Sequence, residues 1–338
     1  MNVNNIDKRA FSSKSFLTSL SKMQKLDGVK VVPKHILDDK ADTHTDDKAS
    51  NSKKEDKGLK GVAGMRELKE RMQRDFIDIL NHKELAAAYD ILPPPVLLYG
   101  AHGCGKTFFV KKLAEELSLE FMVINPDSIA SSFIHGTQEK IAAIFNEARS
   151  KNGTLLFIDE IDSMTGHRSS TENMQHLSGE VAEFLTQLND LAKDNVFVIA
   201  ATNHPENIDR AVLRSGRIDS IIYVPLPDKE ARIEMFQLEL SKRPVTSDID
   251  YVKLAELTAN YTASDITNIV KTASREVFGK ATMLDDTVIP VDMTTIKNVI
   301  SRTPSSVSDS DIRFYEKLHA EFSPKESAIR KQRIGFYQ

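Results

Sequence analysis

The order of apolar and polar positions divides the chain into a polar segment, a mixed α/β region and a purely helical region. In the α/β region, short runs of large apolar residues alternate with segments whose apolar residues recur every three or four positions. The runs are typical of strands buried in a parallel sheet, and the recurring positions are typical of amphipathic helices. Strands are predicted at 96–99, 120–124, 155–158, 196–201 and 221–224. Helices are predicted at 65–80, 82–89, 108–117, 138–149 and 181–191.

This order predicts an α/β domain over 58–226, built as a three-layer sandwich with a parallel sheet. After Pro225 and Pro227 only helical spacing remains, which predicts a small all-α lid domain over 227–305. Residues 306–338 contain one more predicted helix and a tail. The helices of the C-terminal part are predicted at 228–240, 251–257, 263–278, 292–300 and 309–321, with caps at or near Asp228, Thr262 and Asp292.

Residues 1–57 are predicted to form a disordered N-terminal tail and linker. Residues 38–57 contain no aromatic and no large aliphatic residue. They therefore cannot bury enough apolar surface to offset the loss of chain entropy on folding. The apolar residues between 11 and 26 fit either a helix that docks on a partner or a transient helix in a flexible tail.

Composition narrows the classes of function. The chain has 338 residues, 40% of them hydrophobic, and a net charge of −4, so no overall basic field favours nucleic acid. A single cysteine, Cys104, excludes an internal disulfide framework and suits a reducing compartment. No apolar run reaches the roughly 18 residues of a membrane span, and residues 1–26 lack the apolar core of a secretory signal. We therefore expect a cytoplasmic protein with no membrane span and no nucleic-acid partner.

The strand predicted at 96–99 leads directly into the string GAHGCGKT, residues 100–107, and then into a helix. This string fits the phosphate-binding loop G-x-x-x-x-G-K-T in its strand–loop–helix context. Glycines allow successive backbone N–H groups to point at phosphate oxygens, and the helix N-terminus adds its dipole. Lys106 is predicted to reach the β and γ phosphates, and Thr107 to bind Mg²⁺. Cys104 either fills space in this loop or provides redox control.

Polar residues follow two further predicted strands. Asp159 and Glu160 come directly after the strand at 155–158, and Asn203 follows the strand at 196–201. In open α/β sheets this edge binds ligands, so Asp159 is predicted to hold Mg²⁺ and Glu160 to polarise an attacking water. Asn203 is predicted to orient that water or contact the γ-phosphate. Arg214 and Arg217 suit transition-state phosphoryl oxygens, although they could equally be surface charges.

These residues resemble the AAA+ ATPases of the branch with a second region of homology, over about residues 58–321. GAHGCGKT is similar to the family's Walker A motif, although Ala101 and His102 replace its usual prolines and Cys104 its common threonine. LLFIDEID is similar to Walker B, Ala201-Thr202-Asn203 to sensor 1, and residues 209–219 to the second region of homology. The resemblance implies a P-loop ATPase that uses ATP and Mg²⁺, with Glu160 as base.

Two further motifs extend the implied nucleotide site. Residues 60–65 are similar to the opening motif that wraps the adenine, and residues 261–266 to the sensor-2 segment, with Ala263 where glycine is usual. The nucleotide contacts that the resemblance implies are Val62, Ala63, Gly64, Gly100, Ala101, His102, Gly103, Cys104, Gly105, Lys106, Thr107, Phe108, Asp159, Ala263 and Ser264.

The resemblance also implies an assembly. In this family Arg214 and Arg217 would be fingers that enter the neighbouring subunit's site, so we expect a ring, most simply a homo-hexamer. A loop over 133–136 aligns with the pore loop that grips polypeptide in unfoldases; its residues are Phe133, Ile134, His135 and Gly136. The apolar side chains offer a grip, and the alternative is an ordinary loop at the sheet edge. The helix predicted at 309–321 resembles the post-core helix of the valosin-containing-protein and ESCRT-disassembling members.

The leading prediction is therefore a mechanochemical ATPase that unfolds, remodels or disassembles proteins. One alternative is a nucleotide-dependent assembly switch or scaffold that does not thread chains. Another is a regulatory ATPase that docks on a separate peptidase, because residues 336–338 resemble the hydrophobic-Tyr-X tail of proteasomal ATPases. A nucleic-acid motor is disfavoured by the near-neutral charge. The absence of an H-E-x-x-H sequence excludes the metalloprotease branch.

Overall fold

A computed structural model describes residues 29–30, 58–124, 136–165, 186–188, 191–208, 212–213, 217–218, 220–284 and 287–322. The described residues belong to two compact units that divide between Pro227 and Asp228 and again between Ser305 and Ser306. Most of the helix predicted at 181–191, and the predicted N-terminal and C-terminal tails apart from residues 29–30, lie outside the described residues.

The first unit contains a five-stranded parallel sheet in the order β3-β4-β5-β2-β6. Residues pair in register along the whole shared length of neighbouring strands, so that Leu98 lies between Ala201 and Ile222. The prediction of a parallel α/β sheet is confirmed. Its strands are β2 Val96–Tyr99, β3 Glu120–Ile124, β4 Thr154–Ile158, β5 Val196–Thr202 and β6 Ser220–Tyr223.

Burial along the strands explains their apolar composition. Every residue of β2, β4 and β5 is buried, whereas the edge strand β3 is buried only at Ile124. Apolar side chains of helix α4, Lys106–Leu117, pack on one face of the sheet, and those of α5, Gly136–Ser150, pack on the other. Phe109 and Phe145 are fully buried in these two layers. The three-layer sandwich follows from strands that are apolar on both faces.

A helical segment precedes the sheet and departs from the prediction in one respect. A continuous α-helix is predicted at 65–80, but the structure has a π-helical segment within it, at Gln73–Ile77. Phe76 and Ile77, two consecutive residues of this segment, are both buried. The α-helices of this region are α1 Arg66–Met72, α2 Asp78–Asn81 and α3 Lys83–Ala88, preceded by a 3₁₀ turn at Gly58–Gly61.

Two further helices belong to the first unit. Helix α6 spans Ile161–Thr165 and comes two residues after β4. The C-terminal helix α11, Asp309–Phe322, also belongs to this unit, because its Tyr315 and Leu318 are buried in the core that contains β2 and α4. Within the described residues, no helix combines the length and the apolar content that crossing a bilayer requires.

The second unit is helical, as predicted, and its helices are α7 Lys229–Leu240, α8 Tyr251–Leu257, α9 Ala263–Thr282 and α10 Met293–Arg302. Phe236, Ile266 and Ile296 are fully buried in its core. A two-residue strand β1, Val29–Lys30, pairs antiparallel with β7, Val245–Thr246. Residues 29–30 lie within the segment predicted to be disordered.

The predicted helix caps are confirmed. The Asp228 carboxylate accepts from the Ala231 amide at 2.7 Å, and the Asp292 carboxylate from the Thr295 amide at 2.8 Å. Thr262 and Asp265 form a reciprocal capping box at the start of the 20-residue helix α9. Each cap satisfies backbone donors that the first helical turn leaves unpaired.

We expect Asp292→Ala to lower the free energy of unfolding of the helical unit by about 1 kcal/mol at pH 7, because the α10 amides lose their cap. Asp292→Asn, the matched control, should retain most of that stability. A hydrogen bond from the Thr295 side chain, helped by its backbone amide, lowers the pKa of Asp292 despite partial burial. Urea unfolding followed by circular dichroism measures both variants.

The lowered pKa fixes the pH dependence of this cap. Stabilisation by the charged Asp292 is complete above its unfolded pKa of about 4, and is lost as pH falls through the lower folded value. The stability difference between the native chain and Asp292→Ala should therefore shrink below about pH 4. A difference that is independent of pH would contradict this account of the cap.

Candidate phosphate-binding site

The candidate site begins where β2 ends. After Tyr99, residues 100–105 turn away from the sheet, and α4 starts at Lys106. Gly105 has φ 94°, a left-handed conformation that favours glycine, and it directly precedes the helix. The loop thus delivers the N-terminus of a 12-residue helix to the carboxyl edge of the sheet. Backbone amides and the helix dipole make this position suited to an anion.

Gly100 is required by a close approach of two backbones. The Val224 amide donates to the Tyr99 carbonyl at 2.8 Å, which ties the end of β6 to the start of the loop. A Cβ added at Gly100 would lie 2.3 Å from the Val224 carbonyl oxygen. A side chain at this position would therefore force the loop away from the sheet.

Lys106 is buried, and its ammonium group is surrounded by three oxygen atoms. Its Nζ donates to the Gly100 carbonyl at 2.8 Å, the Ala101 carbonyl at 3.0 Å and the Asn203 Oδ1 at 2.6 Å. Burial lowers the pKa of Lys106, and the charges of Cys104, Asp159 and Asp162 act in the opposite direction. The structure therefore brings the predicted phosphate-binding lysine and the predicted water-orienting asparagine into direct contact.

Thr107 and Asp159 also meet, across 52 residues of sequence. The Thr107 hydroxyl donates to the Asp159 Oδ2 at 3.0 Å, which places a hydroxyl and a carboxylate side by side. These are two oxygen ligands of the kind that Mg²⁺ prefers. Among the described residues, no cluster of three or more His, Cys, Asp or Glu side chains could hold a metal. A Mg²⁺ ion here would therefore take most of its ligands from phosphate and water, as it commonly does in nucleotide sites.

Glu160 follows Asp159 with φ 50°, an uncommon conformation for a residue with a side chain. Its amide donates to the Asp159 carboxylate at 3.1 Å, and its carbonyl accepts from the Ser163 amide at 3.0 Å and hydroxyl at 2.9 Å. These bonds hold the strained backbone in place. The side chain is exposed, so the carboxylate is accessible at the same sheet edge.

Asn203 follows β5 and is held by its neighbours as well as by Lys106. The Thr202 hydroxyl donates to the Asp162 Oδ1 at 2.5 Å and accepts from the His204 amide at 2.8 Å. These bonds connect the end of β5 to α6. Asn203 itself is 6% exposed, so its side chain has little freedom to leave the cluster.

The segment before α1 lies along α4, with Leu59 at the C-terminal end of that helix and Met65 at its N-terminal end. The Leu59 amide donates to the Glu116 carboxylate on α4 at 3.1 Å, and a Cβ on Gly105 would lie 3.1 Å from the Met65 methyl group. Lys69 donates to the Val62 carbonyl. Met65 therefore lies beside the phosphate-binding loop, and the predicted adenine-binding residues Val62, Ala63 and Gly64 directly precede it in the chain.

The remaining loop residues differ in exposure. Ala101 and Cys104 are buried, which agrees with space filling by the Cys104 thiol, whereas His102 and Phe108 are exposed. Gly103 has φ 76°, a second left-handed position within the loop. The His102 ring lies 6.4 Å from the ring of His204, the residue after Asn203. His102 stands where the family usually has proline, and it places a polar side chain near the end of β5.

For the other predicted site residues, the structure gives only their places in the chain and its elements. Ala263 and Ser264 begin α9 in the second unit. Arg217 is described and half-buried. Arg214, Phe133, Ile134 and His135 lie outside the described residues, and Gly136 begins α5. The roles assigned to these residues stay predictions.

Two contacts of the site could not be predicted from the sequence. Asp162 belongs to the acidic run after β4, but its partner Thr202 is 40 residues away. Tyr315 is 112 residues from Asn203, yet its hydroxyl donates to the Asn203 carbonyl at 2.7 Å. A tyrosine on an amphipathic helix carries no signal in the sequence that identifies such a partner.

Three features together define a P-loop nucleoside-triphosphate-binding domain: the strand–loop–helix, the buried Lys106 with its three oxygen partners, and the contact between the Thr107 hydroxyl and the Asp159 carboxylate. Residues 96–226 match the family model described as ATPase family associated with various cellular activities (AAA). This match shows that the α/β domain of the chain contains an AAA domain. The α/β domain is therefore an ATP-hydrolysing domain.

Two relatives illustrate the similarity. Over 272 residues, 77% of this chain, the sequence is 30% identical to the Cell division cycle protein 48 homolog of Archaeoglobus fulgidus and covers 37% of it. Over 216 residues, 63% of this chain, it is 33% identical to the ATPase family gene 2 protein homolog A of Homo sapiens and covers 24% of it. The chain thus spans less than half the length of these relatives.

We expect Gly100→Ala to lower ATP affinity by at least about tenfold and the free energy of unfolding by roughly 1–3 kcal/mol, because the added methyl group collides with the Val224 carbonyl. Gly279→Ala is the matched control: its Cβ would meet nothing within 4 Å on α9, so it should leave ATP binding unchanged and slightly stabilise the helix. Fluorescent-ATP titration and thermal unfolding measure both. Unchanged ATP affinity in Gly100→Ala would show that the loop tolerates displacement.

Proposed function

We propose that this chain is the subunit of a ring-shaped AAA+ ATPase that couples ATP hydrolysis to the remodelling, unfolding or disassembly of protein substrates. The observation that supports it best is the joint placement of Lys106, Asn203, Thr107 and Asp159 at one sheet edge. That arrangement supplies phosphate binding and metal binding together. The match of residues 96–226 to the AAA family model supports the coupling of such a site to mechanical work on proteins.

Each residue has a distinct proposed role in hydrolysis. Lys106 binds the β and γ phosphates, and its desolvated ammonium interacts more strongly with an anion than an exposed one would. Thr107 and Asp159 would hold Mg²⁺, and the ion would supply charge neutralisation at the phosphates. Glu160 accepts the proton of the attacking water, and Asn203 orients that water. Val62, Ala63, Gly64, Ala263 and Ser264 contact the adenine and ribose.

A second subunit completes the proposed site. Arg214 and Arg217 stabilise charge on the transferred phosphoryl group of the neighbouring subunit, a contribution on the order of 10³–10⁵ in rate for such fingers. A head-to-tail contact of this kind closes into a ring when the rotation is right. We propose a homo-hexamer. We also propose a cytoplasmic location, because a chain with a single, buried cysteine suits a reducing compartment.

The proposed work on protein requires a grip in the central pore. Phe133 and Ile134 supply apolar contacts to an extended polypeptide, and they precede α5, whose Gly136 begins the helix that packs on the sheet. Movement of the sheet edge during hydrolysis would reach the loop through that helix. A peptidase partner bound by residues 336–338 is a further proposal for the same ring.

The shared site can be tested by mixing two inactive variants. Glu160→Gln removes the proposed base, and Arg217→Ala removes a proposed finger while leaving ATP binding intact. In a mixed ring, an Arg217→Ala subunit supplies an intact Glu160, and a neighbouring Glu160→Gln subunit can supply an intact Arg217 to the same site. About a quarter of the sites in an equal random mixture are complete in this way. We expect ATPase activity to reappear on mixing. Two variants that stay inactive when mixed would argue for a site within one subunit, provided that affinity capture of one tagged variant also recovers the other variant.

Threading is tested separately by replacing Phe133 and Ile134 with Ala. We expect basal ATPase activity to persist and stimulation by an unfolded protein substrate to fall by about tenfold or more, because the apolar grip is lost. Steady-state hydrolysis with and without unfolded casein measures this. Full stimulation in the double variant would favour a nucleotide-dependent switch or scaffold instead. Val252→Ala, an exposed apolar change on α8, controls for general loss of surface hydrophobicity.

A further inference from the structure

The C-terminal helix α11 covers the part of the sheet from which the phosphate-binding loop begins. Phe322 on α11 lies 5.5 Å from Tyr99, the residue before Gly100, with the rings edge to face. Tyr315 is stacked on Tyr223 at 6.3 Å, and His319 lies 5.1 Å from the same ring. An aromatic layer thus fixes α11 over the ends of β2 and β6.

Within this layer, Tyr315 makes one directed polar contact. Its hydroxyl donates to the backbone carbonyl of Asn203 at 2.7 Å in a buried setting. Tyr315 is 7% exposed, and its ring is stacked on Tyr223 and in edge contact with Phe314. A hydrogen bond between fixed, desolvated groups constrains orientation more than an exposed one does.

The same asparagine extends the connection to the reacting groups. The Asn203 carbonyl accepts from Tyr315, while its Oδ1 accepts from Lys106 at 2.6 Å. Backbone rotation at Asn203 would move the Oδ1, so the carbonyl contact limits where the side chain can point. We propose that Tyr315 is a positioning residue for ATP hydrolysis, which acts through Asn203 and makes α11 part of the catalytic unit.

The protonation state of Tyr315 supports this arrangement. Burial, followed by the charges of Glu206, Cys104, Asp311 and Tyr223, raises the pKa of Tyr315 to about 12. The hydroxyl therefore remains a donor over the whole range in which the chain is assayed. The contribution of Tyr315 should accordingly be the same between pH 6 and pH 9.

Tyr315→Phe tests the proposal, because it removes the donor and keeps the ring that stacks on Tyr223. We expect kcat for ATP hydrolysis to fall about three- to tenfold while KM for ATP changes less than about twofold. The loss should be equal at pH 6.5 and pH 8.5. Tyr89→Phe, which removes a hydroxyl from a side chain 70% exposed, is the control and should leave both constants unchanged. Full-length protein at ring-forming concentration is used throughout.

A double-mutant cycle with Asn203→Ala distinguishes positioning from general stabilisation. If Tyr315 acts through the Asn203 side chain, Tyr315→Phe should change the single-turnover rate less than about twofold in the Asn203→Ala background. An equal loss in both backgrounds, an unchanged kcat in the single variant, or a change in KM alone would each overturn the proposal. The inference rests on the role proposed for Asn203, and a full rate in Asn203→Ala alone would reject that role separately.

Discussion

The burial of the Lys106 ammonium group is the constraint on which the rest of the site depends. A buried cation is tolerated only where oxygen atoms replace the water that it loses. Here those oxygens come from the loop at Gly100 and Ala101 and from Asn203 on a different strand. Satisfying one charge therefore requires the loop and two strand ends to be held together. The parallel sheet provides this by bringing the carboxyl ends of β2 and β5 side by side.

The second half of the site is fixed by a similar requirement. Asp159 must stay close to Thr107 for a divalent ion to bind between helix and strand, and the bonds around Glu160 and Ser163 hold the strand end in that position. Thr202 and Asp162 tie the neighbouring strand to α6. The cluster is thus a set of strand ends cross-linked by hydrogen bonds, so small displacements of one end are transmitted to the others.

The C-terminal helix α11 also packs on this part of the first unit. Leu318 and Tyr315 join the same apolar core as Val224 and Phe109, so α11 is held by burial rather than by surface contacts. Aromatic stacking adds a defined geometry to that burial. The result is a helix from the end of the chain whose placement depends on the strand ends and the loop that make up the nucleotide site.

The sequence by itself determined the strands, most helices, their caps and the identities of Lys106, Thr107, Asp159, Glu160 and Asn203 as a group. These depend on local patterns: apolar runs, helical spacing and a loop motif that requires glycine. Only the tertiary structure decided that Lys106 contacts Asn203, that Asp162 anchors Thr202, and that Tyr315 meets the Asn203 carbonyl. The π-helical segment at 73–77 was likewise not predicted by the helical spacing of the sequence. The three side-chain contacts join residues 40 or more positions apart. Their pairing is set by sheet order and packing, which local patterns do not encode.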